Sequence, residues 1–178
     1  MTKILKVLLI LSFATLISCS QEKSNSTTKD IVELNESGTG EKIGTITVTE
    51  TADGVSIEVI ASGLNAQVGQ VGFHLHEKNS PEPTEDANGN IVIGGGLGGH
   101  WDPDNTGTHA GPNGEGHRGD LEALTVNEDG SVNQTVVSAK IKYSDIAGKS
   151  FVIHANPDNY TDNPANGGSG ARLYVAIF

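Results

Sequence analysis

The sequence predicts an all-β domain, and three observations carry that reading. Glycine is abundant at 23 residues while aromatic residues make up only 4% of the chain, a composition suited to many turns and small core side chains rather than to a helical bundle. Apolar and polar residues alternate at period two along several segments, which is the periodicity of half-buried strands. No stretch carries the apolar stripe of an amphipathic helix. A length of 178 residues suits a single domain.

Residues 1–18 read as a lipoprotein signal peptide. Lys3 and Lys6 form a basic start, and Val7 to Ile17 is almost entirely apolar but too short to span a bilayer comfortably. The run ends in Leu16-Ile17-Ser18-Cys19, where a small residue before cysteine has the form of a bacterial lipidation site. Cys19, the only cysteine, is therefore the expected lipidation site and new N-terminus, making the protein an exported one anchored in the bacterial cell envelope. An exported protein can form disulfides, but without a cysteine pair no internal disulfide exists. Residues 19–30 are polar and aperiodic, and read as a flexible tether. Eleven basic residues less Lys3 and Lys6 leave nine against 22 acidic ones, a net charge of −13 after cleavage. That acidity favours solubility and argues against nucleic acid as a partner.

The domain proper is expected over residues 31–178. A short strand near Ile31 to Leu34 comes first. Ile43 to Thr49 and Val55 to Ile60 alternate on either side of an Asp53-Gly54 turn. After a turn near Asn65, Gln70 to Glu77 reads as a strand. Leu121 to Val126 and Ser131 to Lys140 flank a turn at Asp129-Gly130, and Phe151 to His154 and Arg172 to Phe178 complete a set of about eight. Two connections are long, Lys78 to about Gly119 and Ala155 to Ala171, both rich in Gly, Pro, Asn and Asp. Loops of that length in one domain are usually functional or disordered, and these two hold or adjoin every histidine, which favours function.

His74 and His76 stand two apart on a predicted strand, so their imidazoles share a face while Leu75 points the other way into the core. His100, His109, His117 and Asp120 follow in the long connection, with His117-x-x-Asp120 a compact ligand pair, and His154 closes a later strand. Imidazole nitrogen and carboxylate oxygen suit copper and zinc. Six histidines and one aspartate serve two four-coordinate metals only if one imidazole is shared through both of its nitrogens.

The segments Gly72-Phe73-His74-Leu75-His76-Glu77, Gly98-Gly99-His100-Trp101-Asp102-Pro103, His109-Ala110-Gly111-Pro112, His117-Arg118-Gly119-Asp120-Leu121, Val152-Ile153-His154 and Gly170-Ala171-Arg172 together resemble the copper–zinc superoxide dismutase family. The resemblance runs from about residue 31 to 178 and keeps the order of every segment. It implies a flattened eight-stranded Greek-key β-barrel and an enzyme that dismutes superoxide to oxygen and hydrogen peroxide, protecting the envelope. It also implies copper on His74, His76, His100 and His154, and zinc on His100, His109, His117 and Asp120, with His100 as the bridge and proton donor. By the same resemblance Asp158 hydrogen-bonds the outer nitrogens of His74 and His109, and Arg172 stands beside copper to receive the anion. Oligomeric state is left open.

Three departures from the family follow. The positions of the usual disulfide fall on Gly94 and Val175, so the order of the long connection needs another source; loss of such a bond costs roughly 2–5 kcal/mol if nothing compensates. Trp101 stands where relatives usually carry phenylalanine. The connection from Ala155 to Ala171 has no lysine to steer superoxide, which leaves Arg172, joined by Arg118, as the expected local positive charge. Two rival readings also fit parts of the pattern. One is a copper-carrying lipoprotein without turnover. The other is a zinc-stabilised interaction domain, which has no need of His74, His76 and His154 together.

Overall fold

The chain folds from a long antiparallel hairpin, β1 (Ser26–Asn35) and β2 (Gly38–Thr51), followed by β3 (Gly54–Ala61). This computed structural model describes residues 24–178; the leader, Cys19 and the first part of the expected tether lie outside the described residues. Next come β4 (Gly69–Val71), β5 (Phe73–His76), β6 (Thr84–Glu85), β7 (Ile91–Val92), β8 (Leu124–Val126), β9 (Val132–Ser138), β10 (Ser150–His154) and β11 (Arg172–Ile177). Three short 3₁₀ turns are the only helical elements among the described residues. The fold class is all-β, as the alternation requires.

Three differences from the sequence reading stand out among the strands. β1 starts at Ser26 rather than near Ile31, so the last five residues of the expected tether, 26–30, pair with Thr45 to Thr49 of β2. The expected strand from Gln70 to Glu77 is broken at Gly72 into β4 and β5, which pair with different partners. The long connection contains a hairpin of two-residue strands, β6 and β7, that no periodicity announces. About eight expected strands thus become eleven among the described residues.

Seven strands form one curled antiparallel sheet in the order β5-β10-β11-β1-β2-β3-β9, and β4 pairs with β8. Because β4 runs into β5 through Gly72, the β4–β8 pair continues from the β5 end of the sheet. At the other end the Gln134 side chain of β9 joins β8, accepting from the Thr125 N–H and donating to the Ala123 carbonyl. Alternation then sorts the faces: Ile46, Val48, Val55, Ile57 and Val59 are buried in the core, with Phe73 and Leu75 of β5, Phe151 and Ile153 of β10, and Tyr174 and Ala176 of β11.

The opposite face of β5, β10 and β11 is buried too, and this positions the site. His74, His76, Val152, His154 and Val175 lie there, beneath the long connections. A second apolar cluster of Leu34, Leu97, Val152 and Val175, with Val32, Ile93 and Ile177 packed against it, joins the connection to the sheet. It occupies the place where the family's disulfide was expected. Gly94 has a left-handed φ of 63°, and a Cβ there would come 3.0 Å from Leu34 Cδ1 and 3.2 Å from Leu97 Cδ1. Polar ties add to the apolar clamp: Arg172 donates to the Gly94 carbonyl at 2.6 Å and the Gly98 carbonyl at 2.8 Å, and Ser150 Oγ donates to the Lys78 carbonyl at 2.7 Å. Trp101 packs half-buried on the main core with Lys149 Nζ 5.2 Å from its ring centroid.

Leu97→Ala tests the clamp. Truncating this fully buried side chain should cost about 2–5 kcal/mol in urea unfolding of the metal-free protein and speed amide exchange over residues 78–99 ahead of the strands. A loss below about 1 kcal/mol, with no local change in exchange, would show that the cluster does not hold the connection.

Candidate metal centre

Sheet register brings the histidines together. β10 pairs with β5 so that Val152 faces His74 and Ser150 faces His76, and a register shift after Ile153 sets His154 opposite Arg172 of β11. The long connection returns to β5 through isolated bridges that place His100 beside His76 and Asp120 beside His74. Backbone bonds fix those contacts: Trp101 N–H to Leu75 O at 2.8 Å, Leu75 N–H to Gly119 O at 2.9 Å and Gly119 N–H to Trp101 O at 2.9 Å. All six histidines predicted as ligands, with Asp120, fall in one continuous group, and five of the six, with Asp120, are buried.

Hydrogen bonds on the outer nitrogens decide which way each ring presents its lone pair. His76 Nδ1 lies 3.0 Å from the Gly98 carbonyl, and His154 Nδ1 lies 3.2 Å from the Gly170 carbonyl. A carbonyl only accepts, so both Nδ1 atoms carry the proton and both Nε2 atoms carry a lone pair. Those two Nε2 atoms face each other at 3.3 Å. Asp158 does the same for two more rings, accepting from His74 Nε2 at 2.7 Å and from His109 Nε2 at 2.8 Å. That turns His74 Nδ1 inward as a lone pair and turns His109 Nδ1 inward toward Asp120, where a proton or a cation can lie between them; His74 Nδ1, His109 Nδ1 and His117 Nδ1 are all buried.

A second convergence centres on Asp120. Its Oδ1 lies 3.0 Å from His100 Nδ1, 3.0 Å from His109 Nδ1 and 3.4 Å from His117 Nδ1, while Oδ2 accepts the Ala110 N–H. Four donors about 2.0 Å from one tetrahedral ion lie about 3.3 Å apart, so these spacings suit a zinc-like site. Donor atoms within 4.8 Å of one another define two groups, His74 with His76, His100 and His154, and His74 with His100, His109 and Asp120. His117 joins the second through Asp120. His74 and His100 occur in both groups, but Asp158 already occupies one nitrogen of His74. His100 has no such outer acceptor: Nδ1 faces Asp120, and no hydrogen bond reaches Nε2 among the described residues.

The donor set therefore fits metal cations on the chain's own terms: buried lone pairs turned on each other and on a carboxylate are repulsive until a cation lies between them. Protonation states carry the same signature. Burial holds His76 and His154 well below the usual histidine pKa, with neighbouring imidazoles adding to the effect. Burial likewise lowers His100 to about 4 against the raising pull of Asp120, and lowers His74 against that of Asp158. His109 goes the other way. Burial lowers it, but Asp120 and Asp158 outweigh burial and raise it to about 9, a proton taking the place of a cation. Burial alone would raise the Asp120 and Asp158 carboxyls, yet the facing imidazoles keep both far below the usual carboxylate range.

A cleft of about 410 Å³ opens onto His76, His100 and His154 between Arg172 and the turn from Pro164 to Gly170. Among the described residues Arg172 is the only fixed cation lining it. Arg118, expected to help there, instead binds Asp104 through Nε at 2.6 Å and Nη2 at 2.9 Å and lines a different depression. Several contributors were invisible in the sequence. The Gly98 and Gly170 carbonyls are backbone atoms with no residue signature, Asp162 Oδ1 accepts the His109 N–H at 2.9 Å, and Lys140 Nζ donates to the Gly111 carbonyl at 3.1 Å.

Comparison with known proteins agrees with this geometry. A family model described as copper/zinc superoxide dismutase matches residues 42–178. A copper–zinc superoxide dismutase of Brucella abortus biovar 1 is 41% identical, covering 86% of this chain and 88% of the relative. A second such enzyme of Salmonella typhimurium is 35% identical, covering 94% and 95%. The solved structure of the Brucella abortus enzyme superposes with a TM-score of 0.81 at 39% identity, covering 86% of this chain and 99% of that one.

Acid should destabilise the metal-free protein through these rings. The folded-state pKa values of His74, His76, His100 and His154 lie below the unfolded value near 6.5, so between pH 6.5 and about 4 the unfolded chain binds more protons. Each ring that stays neutral when folded then contributes a loss of up to about 1.4 kcal/mol per pH unit as pH falls. His109, raised to about 9, is protonated in both states across that window, and its stabilising share is lost only as pH rises from 6.5 through 9. Calorimetry of chelator-treated protein should show Tm falling steadily from pH 6.5 to 4.5; a flat profile would contradict the neutral state of these buried rings.

Proposed function

The chain belongs to the copper/zinc superoxide dismutase family, and on that premise we propose how its residues divide the work of converting two superoxide anions and two protons into oxygen and hydrogen peroxide. Copper would be held by His74 Nδ1, His76 Nε2, His154 Nε2 and His100 Nε2. Zinc would be held by His100 Nδ1, His109 Nδ1, His117 Nδ1 and Asp120. The observation that carries this division is the outer-nitrogen bonding: His74, His76, His109 and His154 each have one nitrogen occupied, and His100 is free to serve both sides. Asp158 orients one ring of each set.

When bound, copper supplies the electron exchange, oxidising one superoxide and reducing the next, while zinc has no redox chemistry and anchors the shared ring. The chain's residues do the rest. Arg172 draws the anion into the cleft, its guanidinium held in place by the Gly94 and Gly98 carbonyls. His100 keeps Nδ1 toward Asp120 throughout. Its Nε2, on the cleft side, accepts a proton in one half-cycle and gives it to the reduced dioxygen in the other. The turn from Pro164 to Gly170 lines the cleft beside His76, His100 and His154.

The leader sequence supports an exported enzyme carried on a lipidated Cys19, with the catalytic domain in the cell envelope and acting on extracytoplasmic superoxide. A complete set of copper donors together with Arg172 in the cleft favours turnover over copper storage.

Two experiments test this reading. The copper- and zinc-loaded protein should inhibit superoxide-driven reduction of cytochrome c beyond a free-copper control, and His154→Ala should abolish that inhibition while zinc content per chain stays unchanged; full activity in the variant would refute the copper assignment. Cys19→Ser should move the protein from the membrane fraction to the soluble envelope fraction on cell fractionation; unchanged membrane association would refute lipid anchoring at this residue.

A further inference from the structure

Tyr160 takes no part in the chemistry described so far, yet it touches three pieces of the site at once. Its backbone N–H donates to Asp158 Oδ1 at 2.7 Å, the same oxygen that accepts His109 Nε2 at 2.8 Å. Its hydroxyl oxygen accepts the Ala123 N–H at 3.0 Å, where the long connection leaves Asp120 for β8. Its ring lies against Gly111, two residues beyond His109, in space that a Cβ at Gly111 would need: the nearest ring and Cβ atoms of Tyr160 would stand 2.7 Å away. Tyr160 also has a left-handed φ of 58°. A non-glycine aromatic residue pays for that conformation and holds it only where surrounding contacts over-determine it.

These contacts fix both ends of the residue. The ring and hydroxyl are gripped by the segments that carry His109 and Asp120, and the backbone at the other end holds the carboxylate that orients His74 and His109. Without the grip, the left-handed backbone at Tyr160 has nothing to oppose its relaxation, and Asp158 loses the N–H that sets the direction of Oδ1. We infer that Tyr160 is a positioning residue for Asp158, a bolt between the two long connections that keeps the His109 lone pair aimed at zinc. The inference rests on the reading that Asp158 orients the ligand rings.

Zinc release to a chromogenic chelator, followed in the copper- and zinc-loaded protein, separates the possibilities. Asp158→Ala should speed release by about 10- to 100-fold, the usual effect of removing a group that orients a ligand. Tyr160→Ala should speed it by about 10-fold in the wild-type background and by less than about 2-fold in the Asp158→Ala background, because the two act through one carboxylate. Tyr160→Phe keeps the ring on Gly111 and loses only the hydroxyl bond, so it should give a smaller effect of about 5-fold and serves if the alanine variant folds poorly. Tm of the metal-free protein should fall less in either Tyr160 variant than Tm of the zinc-loaded protein. Equal acceleration in both backgrounds, or equal Tm losses with and without zinc, would overturn the inference and leave Tyr160 as ordinary packing. If Asp158→Ala itself leaves zinc release unchanged, the orienting role of Asp158 fails and the role of Tyr160 fails with it.

Discussion

Four of the six imidazoles have one nitrogen held by an outer acceptor, and the four nitrogens this turns inward are the constraint on which the rest of the structure depends. Buried lone pairs that face one another or a carboxylate are costly, and only a cation relieves them. The acceptors that impose this arrangement are the Gly98 and Gly170 carbonyls and Asp158, all on the long connections rather than on the strands. His74, His76 and His154 come from the sheet and His109 from a long connection, and the orientation of all four comes from the loops laid over the sheet. Metal binding and loop order are thus two descriptions of one set of contacts.

That division explains what the sequence made legible. Period two over β2, β3, β5 and β10 reports which residues face the core, and the core face of β5 and β10 automatically turns His74, His76 and His154 the other way. Loop ligands were legible because histidine is rare here and each one lies in a recognisable segment. The tether boundary was misread for a physical reason. Over residues 26–30, β1 pairs only with β2, and only Thr27, which bonds the Tyr143 hydroxyl, is even partly covered, so little selected apolar side chains there. A polar strand with one neighbour looks like a linker. Gly72 was equally silent, since a break that sends β4 and β5 to different partners leaves the alternation on either side intact.

Arg118 and Tyr160 show the limit of reading by proximity. Arg118 lies between His117 and Asp120 in sequence and was expected to face the substrate, but a loop residue can point either way, and Asp104 binds it on the outside. Tyr160 is two residues from Asp158 and carried no signal, because the partners that define its position, Gly111 and Ala123, are remote along the chain. Local sequence identifies the atoms of a metal site more readily than the groups that aim them.

The apolar clamp around Leu97 and Val175 has a meaning beyond stability. A cystine bond at that place would tie formation of the cleft to an oxidant outside the cytoplasm and would reopen it to any reductant strong enough to cleave the bond. A clamp of methyl groups and two carbonyl bonds to Arg172 answers to neither. Maturation of this chain is therefore independent of thiol oxidation. What the cell must supply to bring it into service is metal, and the clamp that closes the cleft has no bond for a reductant to cleave.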